Sequence, residues 1–369
     1  MVTDVLLSKT QVVTPTIAVW QERARVSVII VNYNGRTYLD RCLNALLIGF
    51  DPNDEIVLVD NASTDGSAEY VQQTFPGVRV VRSEVNLGFS GGCNLGVERA
   101  TGQYLAFLNP DTVAVPGWLE PLIAALEANP QAGLATSKIL LLAEPELINT
   151  CGNDMHFTGL TLCRGMGVNR STLTNPAEVT AVSGAAFMIH RELFEALGGF
   201  DESFFMYMED ADLSWRARLA GYGCLYVPDS IVYHDYSLRF GPQKTFYQER
   251  NRYLLLLKGL RWPTLLVLLP ALLLAEVVTW GFALICERQQ LAHKIRAYGW
   301  IGQHWSQILT SRGQVQALRR VQDHDLIAAC KSGLAYEQAN RGPVARLAHL
   351  GFDPIFLLLH RLVLLLIWW

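Results

Sequence analysis

The densest concentration of reactive side chains lies in Gly198-Gly199-Phe200-Asp201-Glu202 and, a few residues on, in Glu209-Asp210-Ala211-Asp212-Leu213-Ser214-Trp215-Arg216. Five carboxylates fall in this stretch, with Phe204, Phe205, Met206 and Tyr207 between them. Burying them without partners is costly, and a solvated acidic face would not usually be so aromatic. A helix beginning near Glu209 puts Asp210 in its first turn, where the helix dipole favours the ionised form. Such a carboxylate can serve as a general base. Glu209, Asp212, Trp215 and Arg216 are its neighbours, with secondary or acceptor-side roles. His234 closes Val232-Tyr233-His234 at the end of a short predicted strand. A lone histidine is more often structural than a ligand.

Four earlier segments offer polar side chains directly after predicted strands. Asn32-Tyr33-Asn34-Gly35 suits a nucleotide-contacting turn, and an ordinary strand-to-helix bend explains it at least as well. In Asp60-Asn61-Ala62-Ser63-Thr64-Asp65-Gly66-Ser67, Asp60 can accept a hydrogen bond from a base's ring N–H, while Asp65 or Ser67 suits a helix cap. Asn86-Leu87-Gly88-Phe89-Ser90-Gly91-Gly92 is rich enough in glycine for backbone to approach a diphosphate. Asn109-Pro110-Asp111-Thr112 places a carboxylate on a proline-stiffened turn. Hard oxygen ligands of that kind suit Mg2+ or Mn2+, and a type I turn with proline at its first corner is an equal alternative. There is no G-x-G-x-x-G dinucleotide fingerprint and no P-loop.

The elements that must position these residues alternate. Val26–Val31, Glu55–Val59, Val78–Val81 and Tyr104–Leu108 read as buried strands, with helices predicted over Thr37–Ile48, Ser67–Thr74 and Gly91–Arg99. That rhythm implies right-handed crossovers and a mostly parallel sheet covered on both faces. In such a sheet ligands bind outside the carboxyl ends of the strands, where these segments fall. Beyond Gln131 the rhythm loosens, with a loop-rich stretch from Leu142 to Glu178. Order returns at Val179–Ile189, followed by a helix around Asp210–Ala220 and short strands near Leu225 and Val232. The expected divisions are an extension over 1–24, a nucleotide-binding half over 25–130, an acceptor-binding half over 131–258, and a helical region over 259–369.

The composition fits this picture. The 369 residues are 50% apolar and 17% charged, with a net charge of −4, which argues against a general nucleic-acid binder. Seven scattered cysteines with no C-x-x-C pair suggest neither a disulfide framework nor a zinc site, and a reducing compartment. Met1 to Trp20 lacks a basic-then-apolar signal pattern, so the catalytic part is expected on the cytoplasmic side.

Taken together, Val28-Ile29-Ile30-Val31-Asn32-Tyr33-Asn34, Val59-Asp60-Asn61-Ala62-Ser63, Asn86-Leu87-Gly88-Phe89, Asn109-Pro110-Asp111 and Glu209-Asp210-Ala211-Asp212 resemble family 2 glycosyltransferases of the GT-A fold, most of all rhamnosyltransferase-type members. The resemblance runs from about Val26 to Lys258. It implies a nucleotide-sugar site built from Asn32, Tyr33, Asp60, Asn86, Gly88, Phe89, Asn109 and Asp111, with Asp60 contacting the base of the nucleotide. It further implies Asp111 as the last acid of the metal-binding D-x-D element, His234 as a later metal ligand, and Asp210 as the base of an inverting transfer. One departure is that the D-x-D element is Asn109-Pro110-Asp111, with a single acid, which implies a weaker metal site. The implied partners are a nucleotide-sugar donor, first dTDP-rhamnose, and a lipid-linked or polysaccharide acceptor. UDP donors of galactofuranose, N-acetylglucosamine or glucose are alternatives. A sugar nucleotidyltransferase is a rival reading, and it would be expected to carry a Gly-rich, Lys/Arg-bearing loop after the first strand. A scaffold without turnover is a further rival, opposed by the acids at 60, 111 and 210.

The last hundred residues differ in kind. Leu265–Ile285 is an apolar run of membrane-spanning length interrupted by Pro270 and Glu276, and Phe352–Trp369 is a second one containing His360 and Arg361. The connecting segment is basic, carrying Arg288, Lys294, Arg296, Arg312, Arg319, Arg320, Lys331, Arg341 and Arg346. That bias belongs on the cytoplasmic side and favours anionic lipid. A charge at mid-bilayer is costly, so a re-entrant hairpin or an in-plane helix is expected rather than a straight span, with both flanks cytoplasmic.

Overall fold

Side-chain alternation in the first strand decides the layering. In β1 (Val26–Asn32), Val26, Val28 and Ile30 enter one core while Ile29 and Val31 enter another, as the pleat requires of a strand covered on both faces. The computed structural model describes residues 25–236, 242–286, 288–338 and 342–369; the extension expected over 1–24 lies outside them.

From β1 the chain passes through α1 (Arg36–Leu47), β2 (Glu55–Asn61), α2 (Ser67–Thr74), β3 (Val78–Ser83), α3 (Gly88–Arg99) and β4 (Tyr104–Leu108). Next come β5 (Thr112–Ala114), α4 (Leu119–Ala128), β6 (Ala132–Leu141), β7 (Ile148–Thr150), β8 (Asn153–Met155), β9 (Thr161–Cys163) and β10 (Ala177–Val179). β11 (Ala186–His190), α5 (Arg191–Ala196), α6 (Glu209–Leu219) and β12 (Gly223–His234) finish the sheet-bearing part. The helices α7 (Pro242–Gly259), α8 (Trp262–Cys286), α9 (Leu291–Gln303), α10 (Trp305–Ala317), α11 (Asp323–Ala328) and α12 (Pro343–Leu366) follow.

One ten-stranded sheet holds the order β10-β12-β6-β11-β4-β1-β2-β3, with β5 paired to β12 and β7 to β6. β1, β2, β3 and β4 are mutually parallel, β12 is parallel to β6, and β11 runs antiparallel between β4 and β6. The carboxyl ends of β1, β2, β4 and β12 therefore lie on one edge. α1 and α4 cover one face, while α3 and α6 pack on the other.

The sequence expectation differs from the structure in three places. β6 is a central strand although its residues Ala132-Gly133-Leu134-Ala135-Thr136-Ser137 lack strong strand formers; burial on both faces overrides propensity. The two short strands near Leu225 and Val232 are one strand, irregular between Val227 and Ile231. The loop-rich stretch from 142 contains β7 to β10. The sheet is continuous across 130/131, because β11 from the second half pairs with β4 from the first.

α8 and α12 are long and apolar enough to cross a membrane by length and composition, with mean hydropathy 2.1 and 1.6. α8 is a single helix that continues through Pro270, so it is not a hairpin. Leu265, Leu268, Ala271, Leu272 and Ala275 face inward, while Leu266, Leu269, Leu273 and Val277 are exposed, the periodicity of a helix lying along a surface. Glu276 faces protein rather than solvent or lipid. Its carboxylate meets Arg252, Tyr253, Tyr298 and Lys294 from α7 and α9. Part of the basic charge expected to meet lipid is also used inside: Lys294 binds Glu249 at 2.7 Å, Arg312 donates to the Leu257 and Leu260 carbonyls, and Arg319 pairs with Asp323 at 2.6 Å.

Candidate active site

The parallel pairing of β1 with β2 sets Asn32 beside Asp60 at the carboxyl edge. Both are buried, and Asn32 Oδ1 and Asp60 Oδ1 have no hydrogen-bond partner. Buried acceptors are rarely left so, and a carboxylate there is placed to accept an N–H from a bound molecule. Asn32 Nδ2 and the Asn34 N–H both donate to Ser63 Oγ, at 3.2 and 2.9 Å, tying the two strand-end turns together. Tyr33 is exposed beside them. Asp65 accepts from the Ser67 and Arg36 N–H groups at 3.1 and 2.9 Å; the N-cap position of α2 itself is Gly66, so neither Asp65 nor Ser67 occupies it.

The glycine-rich segment behaves differently from expectation. α3 begins at Gly88, not at Gly91, so most of the supposed loop is the helix's first turn. Gly88 has φ +71°, and a Cβ there would sit 2.3 Å from the Phe205 carbonyl oxygen. Gly92 and Gly96 similarly let α3 press against Val31 and Ile29. The space these glycines provide is filled by protein, not left for a diphosphate. Phe89 turns inward against Phe200, with ring centroids 6.1 Å apart. Asn86 is exposed; its Oδ1 accepts from Asn61 Nδ2 at 3.1 Å and from the Gly88 N–H at 2.8 Å. Asn61 also accepts the Leu87 N–H, so a residue given no role in the sequence reading clamps this turn.

The short antiparallel pairing of β5 with β12 carries the clearest geometry. It sets His234 opposite Thr112, and the Asp235 N–H donates to the Asp111 carbonyl at 2.9 Å. His234 Nε2 then lies 3.2 Å from Asp111 Oδ1. His234 Nδ1 is 2.9 Å from Asn149 Oδ1; the tautomer with its proton on Nδ1 turns an Nε2 lone pair toward the carboxylate. In that tautomer the two atoms face each other as a pair of ligands for a cation. Their spacing is near the ~3 Å separating adjacent ligands of an ion bound at about 2.1 Å. Asp111 and His234 thus fit a hard divalent cation. Among the described residues no group of three or more His, Cys, Asp or Glu side chains gathers as a fuller ligand set. Asn109 sits in the same turn, its carbonyl accepting from Thr112 Oγ1 at 2.6 Å.

Asp210 reaches the same edge from the other side. The Asn109 N–H bonds the Ala185 carbonyl, and the neighbouring Gly184 N–H donates to Asp210 Oδ2 at 2.7 Å. Asn153 Nδ2 adds a second donor at 3.2 Å, and the Ala211 N–H reaches Oδ1 at 2.7 Å. Burial raises the Asp210 carboxyl above its usual range, and these donors pull it back. Glu209 beside it is buried, with Oε2 unpartnered, and burial together with the Asp210 charge pushes it up to about 8. The loop leading into α6 holds Phe205, Tyr207 and Met208 at φ of 62°, 65° and 66°, a costly conformation for such residues. Asn251 and Arg250 of α7 keep it there, donating to the carbonyls of Ser203, Phe204, Met206 and Tyr207.

The acceptor-side role expected for the rest of the acidic stretch does not match its placement. Asp212 is bound by Arg216 at 2.7 Å and by Lys258 at 2.9 Å, all three side chains nearly inaccessible. Arg216 also donates to the Leu197 and Gly199 carbonyls, and Arg218 pairs with Glu178 at 2.9 Å. Trp215 is buried in the core between α6 and the C-terminal helices. These groups tie α6 to α7 and to the turn after α5. Asn149, Asn153, Gly184 and Asn251 were missed because a single polar or small residue whose role lies in one distant contact carries no periodic signal.

The profile of glycosyl transferase family 2 matches residues 27–198. The chain is 29% identical over 232 residues to the N-acetylglucosaminyl-diphospho-decaprenol L-rhamnosyltransferase of Mycobacterium tuberculosis (strain CDC 1551 / Oshkosh), covering 56% of this chain and 75% of that one. Among solved structures, S. aureus TarS 1-349 in complex with UDP-GlcNAc superposes with a TM-score of 0.54 at 19% identity, over 91% of this chain and 90% of that one. GalNAc-T7 with UDP, GalNAc and Mn2+ gives 0.53 at 22%, over 64% of this chain and 48% of that one.

Proposed function

We propose, from the match to glycosyl transferase family 2 over residues 27–198 and the GT-A-like fold, that this glycosyltransferase moves a sugar, first rhamnose from dTDP-rhamnose, onto a hydroxyl of a lipid-linked or polysaccharide acceptor with inversion. The observation that carries this reading is the convergence on one sheet edge of unpartnered Asp60, the Asp111–His234 pair and the hydrogen-bonded Asp210. The name of the mycobacterial relative supports the choice of sugar and of a lipid-linked acceptor.

Asp60 and Asn32 receive the donor's base and neighbouring groups, and Tyr33 offers a ring beside them. Asp111 and His234 hold a divalent cation, Mg2+ or Mn2+, which when bound supplies positive charge against the departing nucleoside diphosphate. Asp210 takes the proton from the acceptor hydroxyl as that oxygen bonds to the anomeric carbon and the carbon–diphosphate bond breaks. Its two oxygens are fixed by Gly184, Asn153 and Ala211, so no reorientation is needed at the moment of transfer. Burial raises its proton affinity, which suits a base working near neutrality. The exposed apolar faces of α8 and α12 rest against membrane, with the helices in its plane and the sheet on the cytoplasmic side.

The test is nucleoside diphosphate release by purified protein from dTDP-rhamnose, UDP-galactofuranose, UDP-N-acetylglucosamine and UDP-glucose with Mn2+ or Mg2+. Release is expected first from dTDP-rhamnose. Preference for a UDP sugar would replace the donor assignment, pyrophosphate as product would indicate nucleotidyl transfer, and no release from any donor would overturn the reading.

A further inference from the structure

A cavity of about 490 Å³ lies between the sheet domain and the C-terminal helices, within the roughly 300–1,000 Å³ typical of ligand pockets. Its inner wall includes Cys163, Met208 and Tyr236. Each is tied to the site described above. Met208 directly precedes Glu209 and Asp210, Cys163 is the cross-strand partner of Asn153, and the Tyr236 ring is 5.5 Å from that of His234. Its outer wall comes from α8 and α12, including Val277, Gly281, Ala348 and Phe352. Val277 also belongs to the exposed apolar stripe of α8, so the cavity wall and the membrane-facing surface are continuous.

An occupant of this space has one end against Cys163, Met208 and Tyr236, which adjoin the residues around Asp210 and His234, and the other against apolar helices. We propose that the cavity binds the apolar chain of a lipid-linked acceptor next to its phosphate linkage, presenting the attached sugar to Asp210; this rests on the glycosyltransferase reading. Two features favour such a molecule over a soluble one. The wall is mainly apolar, and a hydrocarbon chain strands no polar group there. Lys244 stands in the wall beside Tyr207 and Tyr236, its Nζ 5.6 and 6.0 Å from the two ring centroids, and brings positive charge to the end where an anionic linkage would lie.

Gly281 provides a clean way to fill the space. A Cβ there meets nothing within 4 Å, and replacing glycine inside a helix removes a residue of weak helix propensity. The probe is farnesyl diphosphate, its binding measured on the full chain with saturating dTDP to occupy the donor site and inorganic diphosphate as the headgroup control. Wild type should bind farnesyl diphosphate at least about tenfold more tightly than diphosphate, and Gly281→Phe should lose that advantage. Sedimentation with phosphatidylglycerol vesicles and donor-dependent nucleoside diphosphate release should be unchanged. Ala348→Phe, on the opposite wall, should behave likewise and covers the case of a misfolded first variant. Equal binding of the two probes by wild type, or undiminished farnesyl diphosphate binding by both filled variants, would overturn the proposal. Loss of vesicle binding with farnesyl diphosphate binding retained would make the cavity a bilayer anchor instead. Absence of donor turnover in wild type with chain binding intact would sink the enzyme reading and leave the cavity assignment standing.

Discussion

Asp210 and Asp212 stand two residues apart on the first turn of α6 and belong to different worlds. Asp210 faces the carboxyl edge of the sheet, the edge that also carries the unpartnered Asp60 Oδ1 and Asn32 Oδ1 and the Asp111–His234 pair. Asp212 faces the layer beneath α7, where Arg216, Lys258 and Asp201 bind carboxylate to cation at every step. The contrast teaches that acidity alone does not mark a site. A buried carboxylate fully matched by cations is holding elements together, whereas one held only by neutral N–H donors beside unfilled acceptors is available for chemistry.

The largest effect that sharpens this contrast is on stability. Asp212→Asn leaves Arg216 buried without its counter-charge and Lys258 with Asp201 alone, which should cost about 3–5 kcal/mol in unfolding free energy by denaturant titration. The folded fraction should keep its donor affinity. A stable Asp212→Asn protein with lost turnover would erase the distinction between the two acids.

Asp210→Asn should do the opposite. Turnover is expected to fall by roughly a hundredfold or more while donor binding and the unfolding midpoint stay close to wild type. Near-normal turnover would transfer the base role to Glu209.

A smaller loss is expected at the cation pair. Asp111→Ala should weaken both Mn2+ dependence and donor affinity, and His234→Ala should do so more mildly, by about tenfold or less. Full activity of wild type in excess chelator would rule out a working cation there.

The smallest effect concerns pH. Glu209 has a folded-state value near 8 against an ordinary value of 4.5, so the folded protein holds a proton that the unfolded chain releases. Its contribution to stability is complete below about 4.5 and disappears as pH rises through about 8. Glu209→Gln should flatten that decline in unfolding experiments between those limits. An unchanged pH profile would mean that Glu209 is ionised in the folded state.

The reading of the fold from sequence was strongest where strands are buried on both faces. β1 to β4 and the helices between them follow from runs such as Val28-Ile29-Ile30-Val31 and from the turn residues that end them. β6 was hidden because Gly133, Ala135 and Ser137 are poor strand formers, tolerated in a position where neighbours on both sides complete the ladder. The candidate site shows the same division. Asp60, Asp111, Asp210 and His234 were all legible as candidates. Asn153, Gly184 and Asn149, which orient them, were not, since each acts through a contact far away in sequence.

What the sequence determined by itself was the alternating α/β order, the apolar character of the last helices and the chemical types gathered near strand ends. These depend on local periodicity and on turn chemistry, which neighbouring residues encode. Only the tertiary structure decided that His234 faces Asp111, through a three-residue pairing of β5 with β12. It likewise decided that Asp212 and Arg216 are structural and that Gly88 makes room for Phe205 rather than a diphosphate. It also turned Glu276 toward Arg252 and away from lipid. The reason is common to all four: a residue takes its role from the partner it meets, and those partners are brought together by sheet register and helix packing, not by adjacency in the chain.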